Sequence, residues 1–119
     1  MKTIKLMILA VSLFGCSLVN AQCFSMTVEP TQSPDGFKCF NISVTLEAGM
    51  APGQGVDIFD GENYQYCDSS CSFTWCYDMT TKPANSTVNI YCEAESGAKG
   101  SCRQLDGCIV IVGHVNGHP

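Results

Sequence analysis

Histidine is scarce in this 119-residue chain. His114 and His118 are the only two, and both fall close to the C-terminus. The body of the chain therefore has no imidazole for a Ser-His-Asp or Cys-His arrangement, or for a histidine-based ribonuclease. Positive charge is scarce as well. Six Lys and Arg stand against eleven Asp and Glu, a formal net charge of −5. That balance removes the electrostatic footprint of nucleic-acid binding and disfavours anionic membranes. The apolar run Leu6 to Phe14 holds nine residues, whereas a bilayer span needs about 20. No segment carries a sustained helical stripe, and no internal repeat, linker or low-complexity stretch is present.

What is there begins with a leader. Met1-Lys2-Thr3-Ile4-Lys5 is a short basic region, Leu6 to Phe14 an apolar one, and Val19-Asn20-Ala21 a small-residue cleavage site. The pattern predicts a signal peptide over residues 1–21, cut before Gln22. A rival reading takes Leu13-Phe14-Gly15-Cys16 as a bacterial lipoprotein box, but the bulky Phe14 is unfavourable there. Removal of residues 1–21 takes Lys2 and Lys5 with it. Four basic residues then face eleven acidic ones, a net charge of −7.

Cleavage also changes cysteine parity. Nine cysteines become eight: Cys23, Cys39, Cys67, Cys71, Cys76, Cys92, Cys102 and Cys108. An even count behind a leader predicts a secreted domain with four disulfides, of unspecified pairing. Residues 22–119 are the length of a single domain, and 113–119 read as a flexible tail.

The patterning is all-β. Asn41 to Glu47 alternates strictly, with Ile42, Val44 and Leu46 on one side. Thr87 to Cys92 repeats this with Val88, Ile90 and Cys92 inward. Cys108 to Val112 is continuously apolar and predicts a strand buried on both faces. Cys23 to Val28, Gly55 to Phe59 and Ser72 to Tyr77 are weaker strands. Ser33-Pro34-Asp35-Gly36, Pro52-Gly53, Asp60-Gly61, Lys82-Pro83-Ala84-Asn85 and Asp106-Gly107 supply turns. The expected fold is a small disulfide-stapled β-sandwich or barrel.

Asn41-Ile42-Ser43 and Asn85-Ser86-Thr87 are N-glycosylation sequons, the first on a polar strand face and the second in a turn. The acidic stretch Asp57 to Glu62, with Asp68 nearby, lacks the ligand spacing of an EF-hand and reads as a solvated turn. No metal or cofactor is expected. Tyr64, Tyr66, Phe73, Trp75 and Tyr77 form an aromatic band interleaved with Cys67, Cys71 and Cys76. Alternation puts Phe73, Trp75 and Tyr77 on one face. They are either a platform for sugars or partner proteins, with the cysteines inward, or simply core.

With its leader ending at Ala21 before Gln22, a short mature chain, eight cysteines and no catalytic signature, the chain resembles the small secreted cysteine-rich proteins of filamentous fungi, including candidate effectors. The resemblance is one of class and rests on no family motif. It implies secretion into a host apoplast or cell wall. It also implies action through binding, and the expectation for this chain is a monomeric virulence or avirulence effector that binds a host protein or glycan, without enzymatic turnover or membrane insertion. A cell-wall carbohydrate-binding protein and a toxin or protease inhibitor are the alternatives.

Overall fold

A computed structural model describes residues 16–17, 23–94 and 102–115. The predicted leader lies mostly outside these residues. The fold is all-β: β1 (Cys16–Ser17), β2 (Phe24–Thr31), β3 (Phe37–Leu46), β4 (Val56–Phe59), β5 (Tyr64–Cys67), β6 (Cys71–Asp78), β7 (Thr87–Ala94) and β8 (Leu105–Ile111), with one 3-10 turn at Met79–Thr81. Two antiparallel sheets form, in the orders β1-β2-β3-β6 and β5-β4-β7-β8. They stack as a sandwich and do not close into a barrel.

Alternation decides what lies between the sheets. From the first sheet, Phe24, Met26 and Val28 of β2 meet Phe40, Ile42 and Val44 of β3 and Trp75 and Tyr77 of β6. From the second come Val56, Ile58, Ile90, Cys92, Ala94, Cys108 and Val110. These side chains form one continuous apolar core, the dominant favourable term in the folding of such a domain.

Three disulfides join described residues: Cys23–Cys102, Cys39–Cys76 and Cys67–Cys71. They are nested, each enclosing the next along the chain. Cys39 and Cys76 are direct register partners on β3 and β6, with Cα atoms 4.0 Å apart. Cys67–Cys71 hands the chain from β5 in one sheet to β6 in the other. Two glutamines reinforce the outermost bridge. Gln104 Oε1 accepts from Cys23 N at 2.8 Å, and its Nε2 donates to Phe24 O at 3.2 Å. Gln54 Oε1 accepts from Cys102 N at 3.1 Å, and its Nε2 donates to Cys102 O at 2.7 Å.

The sheets are also pinned at the β4–β5 turn. Asp60 accepts from the hydroxyl of buried Tyr77 on β6, from Asn63 Nδ2 at 3.0 Å, and from the backbone of Glu62 and Asn63 at 2.8 and 2.5 Å. Burial works to raise the Asp60 pKa, but these four donors outweigh it and hold the carboxyl below its ordinary range. Burial, followed by the hydrogen bond to Asp60, pushes the Tyr77 phenol well above its usual value. The pair's contribution is thus complete between about pH 4 and pH 10. It is lost as pH falls through the lowered Asp60 value, because protonation then favours the unfolded chain. It is lost again above about pH 10, where the unfolded chain ionises its tyrosine and the folded one does not. Tyr77→Phe is expected to cost about 1–3 kcal/mol at pH 7. It is also expected to flatten the decline in stability from pH 9 to pH 11 measured by urea unfolding.

Four expectations change on contact with the structure. The expectation that all eight mature cysteines are bridged fails at Cys92, which is buried and free in this chain. Its cross-strand neighbours in the sheet are Ile58 and Asp106, so no thiol stands opposite. The segment 108–112 is not buried on both faces. β8 is a sheet edge with an open outer face, so Cys108, Val110 and Val112 are buried while Ile109 is exposed. Gly113 and His114, expected in a flexible tail, are held against the turn before β7. Gly113 is buried, Val112 N donates to Ser86 O at 2.9 Å, and Asn85 N donates to His114 O at 2.6 Å. A side chain at Gly113 would collide with the Pro83 carbonyl. Residues 116–119, including His118, lie outside the described residues. Finally, β5 is a strand that the alternation analysis missed.

Candidate functional site, an aromatic sheet face

The five-residue aromatic band divides between the two sheets. In the first, the even positions of β6, Ser72, Thr74 and Cys76, point outward. Trp75 and Tyr77 are buried, and half-buried Phe73 packs on Trp75 with ring centroids 5.1 Å apart. These three rings therefore belong to the core, which corrects their assignment to a binding surface. The reason is apolar area: across β3 the same inward rows hold Phe40 and Ile42, register partners of Trp75 and Phe73. The outward row instead continues into Cys39, Asn41 and Ser43.

Tyr64 and Tyr66 do reach solvent, on β5 in the second sheet. Alternation and register build a surface around them. Phe59 of β4 pairs with Tyr64 on one side and Tyr91 on the other, and Tyr91 pairs with Gly107 of β8. This makes one row, Tyr64–Phe59–Tyr91–Gly107, across all four strands, a Cα span of about 14 Å at ordinary strand spacing. Phe59 and Tyr91 stack with centroids 5.3 Å apart and an interplanar angle of 24°. The next row is Tyr66–Asp57–Glu93–Leu105, and Ile109 pairs with Asn89 beyond Tyr91.

Six large hydrophobic residues are exposed among the described residues, and five of them, Tyr64, Tyr66, Tyr91, Leu105 and Ile109, share this face. Scattered apolar residues are ordinary on a surface, but a contiguous group on one sheet face marks an interaction site. Tyr64 is 64 % exposed and Leu105 57 %. The face is held in place from below and from the side. The Tyr64 hydroxyl donates to Asp57. The Tyr66 ring lies over Gly55, where any Cβ would meet it. Gly107 likewise leaves space for the side chain of Asn89. At the β7–β8 end, Glu93, Ala94, Arg103, Gln104 and Leu105 line an open cleft of about 340 Å³.

The polar groups on this face are the carboxylates of Asp57 and Glu93, while Asn89 Oδ1 is buried beside Gly107. Asp60 is committed to its four hydrogen bonds. Beneath the face, burial and then the nearby charges of Asp106 and Asp57 push the Cys92 thiol up to about 12. It is protonated at neutral pH and has little nucleophilic character.

The opposite outer face, on the first sheet, has a different character. Ser25, Thr27, Ser43, Thr45, Ser72 and Thr74 cover it. Ser43 and Ser72 hydroxyls lie 3.1 Å apart, and Thr74 Oγ1 donates to Asn41 Oδ1 at 2.5 Å. Asn41, the first sequon residue, is exposed here. Asn85, the second, is exposed in the turn before β7 with φ of 61°.

Sequence reasoning found Tyr64 and Tyr66 but missed Phe59, Tyr91, Leu105 and Ile109. The signal for Tyr91 was present, since it alternates with the inward Ile90 and Cys92. The pairing of β4 with β7 that sets it against Phe59 was not. No family model matches the chain, and neither does any curated protein or solved structure.

Proposed function

We propose that this protein is a secreted binding protein that holds a neutral glycan chain on the outer face of β5-β4-β7-β8. The observation that carries this reading is the row Tyr64–Phe59–Tyr91 on one sheet face, with Tyr64 and Tyr91 exposed and Tyr91 stacked on half-buried Phe59. Aromatic faces offer sugars a large apolar contact at low entropic cost, and flanking carboxylates accept hydrogen bonds from hydroxyls. Asp57 and Glu93, together with the acidic chain as a whole, disfavour polyanionic glycans. The three disulfides fit an oxidising compartment, and among the described residues no helix is long and apolar enough to cross a membrane. Together with the class-level resemblance, this reading makes the protein an effector acting at a host wall.

A second reading, docking of a host protein on the same face, is favoured by Leu105 and Ile109. These aliphatic side chains serve a protein interface better than a sugar.

The test is affinity electrophoresis through gels holding β-glucan, xylan or soluble chitin oligomers. Tyr64→Ala and Tyr91→Ala are each expected to weaken retention about tenfold, the equivalent of about 1.4 kcal/mol of lost stacking. Phe37→Ala, on the other sheet, is expected to leave it unchanged. Absence of retention on all three polymers removes the glycan reading and leaves the protein-docking one.

A further inference from the structure

We propose that two copies of this chain pair edge to edge through β6, antiparallel about a two-fold axis at Thr74. The inference stands apart from the glycan reading and rests on the ladder between β3 and β6.

One hydrogen bond settles which backbone groups of β6 face outward. Met79 N donates to Gly36 O at 2.8 Å. Gly36 and Met79 continue the β3–β6 register by one position, so they form a hydrogen-bonded pair of the ladder. Every second pair shares that character: Lys38–Tyr77, Phe40–Trp75, Ile42–Phe73 and Val44–Cys71. Cys39 and Cys76 belong to the other set. Their Cα atoms are 4.0 Å apart, the closer spacing of a non-hydrogen-bonded pair. Cys39 N accordingly turns away from β6 and donates to Ser33 Oγ at 2.8 Å. On β6, the backbone N–H and C=O groups of Ser72, Thr74 and Cys76 therefore point away from β3. β6 ends the first sheet, and among the described residues no strand pairs with this side of it.

Edges of this kind are usually blunted by shortness, charge, proline or a bulge. The other edges follow that rule: β5 has four residues, β2 carries Glu29 and Pro30 beyond the positions paired with β1, and β8 carries Asp106. β6 has eight residues in unbroken register with β3. It has no lysine, arginine or proline, and its one acid, Asp78, is its last residue.

The strand is complementary to itself. With Thr74 opposite the partner's Thr74, Ser72 falls opposite the partner's Cys76 and Cys76 opposite the partner's Ser72. Every outward-pointing residue of the edge is then paired, at two main-chain hydrogen bonds per pair, about six in all. Half-buried Phe73 lies opposite the partner's Trp75 on the inner side. Asp78 lies opposite the partner's Ser70, so the acidic excess of the chain creates no like-charge pair at the contact.

Adjacent strands share the two faces of their sheet, so the axis stands perpendicular to it. Both copies of the second sheet then lie on the same side, and both aromatic rows face the same way. Such a dimer offers two rows to one polymer, where the second contact forms at high effective concentration.

The experiment is sedimentation velocity of the purified protein over a range of concentrations. One strand pair is a small interface, so dissociation is expected at about 10–100 µM. Thr74→Lys sets two ammonium groups against each other, and Thr74→Pro removes an outward N–H while leaving the β3 ladder whole. Each is expected to weaken the dimer by about tenfold or more. A protein that stays monomeric up to about 1 mM overturns the proposal, as does a dimer that either folded variant leaves unchanged. Thr74→Cys decides the case in which neither variant folds. Across the axis its two introduced thiols stand on Cα atoms about 5.5 Å apart, within disulfide reach. Under oxidised glutathione it is expected to give a covalent dimer that reduction splits, whereas Thr45→Cys, exposed on the outer face of β3, is not. No covalent dimer from Thr74→Cys, or equal amounts from both, overturns the proposal.

Discussion

Replacing Cys23 and Cys102 together by alanine is expected to lower the unfolding free energy by about 4–5 kcal/mol. The bridge closes a separation of 79 residues, and the constraint that it places on the unfolded chain grows with the logarithm of loop length. The same relation gives about 2 kcal/mol for Cys67–Cys71, whose separation is 4. Net stabilities of small domains are about 5–15 kcal/mol, so the outer bridge is a large part of the whole. The location adds to the effect. Cys23 sits just before β2 in the first sheet and Cys102 just before β8 in the second, and the Gln54 and Gln104 side chains bond the backbone beside both. Urea unfolding of the double variant under oxidising conditions measures the loss. A loss below about 2 kcal/mol would show that the glutamine contacts hold this end without the bridge.

Trp75→Ala is expected to cost about 3–5 kcal/mol, because it empties a large volume in the core beside Phe73 and Phe40. In a domain of this size that corresponds to a fall in Tm of more than about 10 °C. Glycan retention measured well below the transition is expected to persist. Tyr64→Ala is the mirror case: its side chain is mostly exposed, so Tm is expected to move little while retention falls. Unchanged Tm with lost retention in Trp75→Ala would return that residue to the binding surface, where the sequence allowed it to be placed.

The two tryptophan readings show what a one-dimensional pattern can and cannot say. Alternation from Ile42 to Leu46 and from Val88 to Cys92 fixed the inward faces of β3 and β7, because burial on one side imposes a period of two. For β6 the same period left two answers. Ser72, Thr74 and Cys76 could form either face, and only the apolar rows of the partnering strand decide. The structure takes the second answer, with the rings inward and Cys39–Cys76 on the outer side of the first sheet. β5 was missed because Tyr64-Gln65-Tyr66-Cys67 is short and shows no aliphatic alternation. The aromatic row depends on β4 lying between β5 and β7, and β7 is far from β4 in sequence. No local propensity encodes that adjacency. The acidic stretch was read as a solvated turn throughout, but Asp57 to Phe59 belong to β4, and in the turn that follows Asp60 reaches across to Tyr77, which is a tertiary fact.

The nesting of the three bridges also governs what happens after a protease strikes. A peptide bond cut anywhere between Cys23 and Cys102 leaves two fragments that are still one covalent molecule. A cut between Cys39 and Cys76 leaves them joined twice. In the exposed Asp68–Ser70 segment that crosses from β5 to β6, all three bridges span the break. A cut in this exposed segment is therefore the one that releases least. A clipped molecule would run as two bands only after reduction, and until then it would keep both sheets and the aromatic row together.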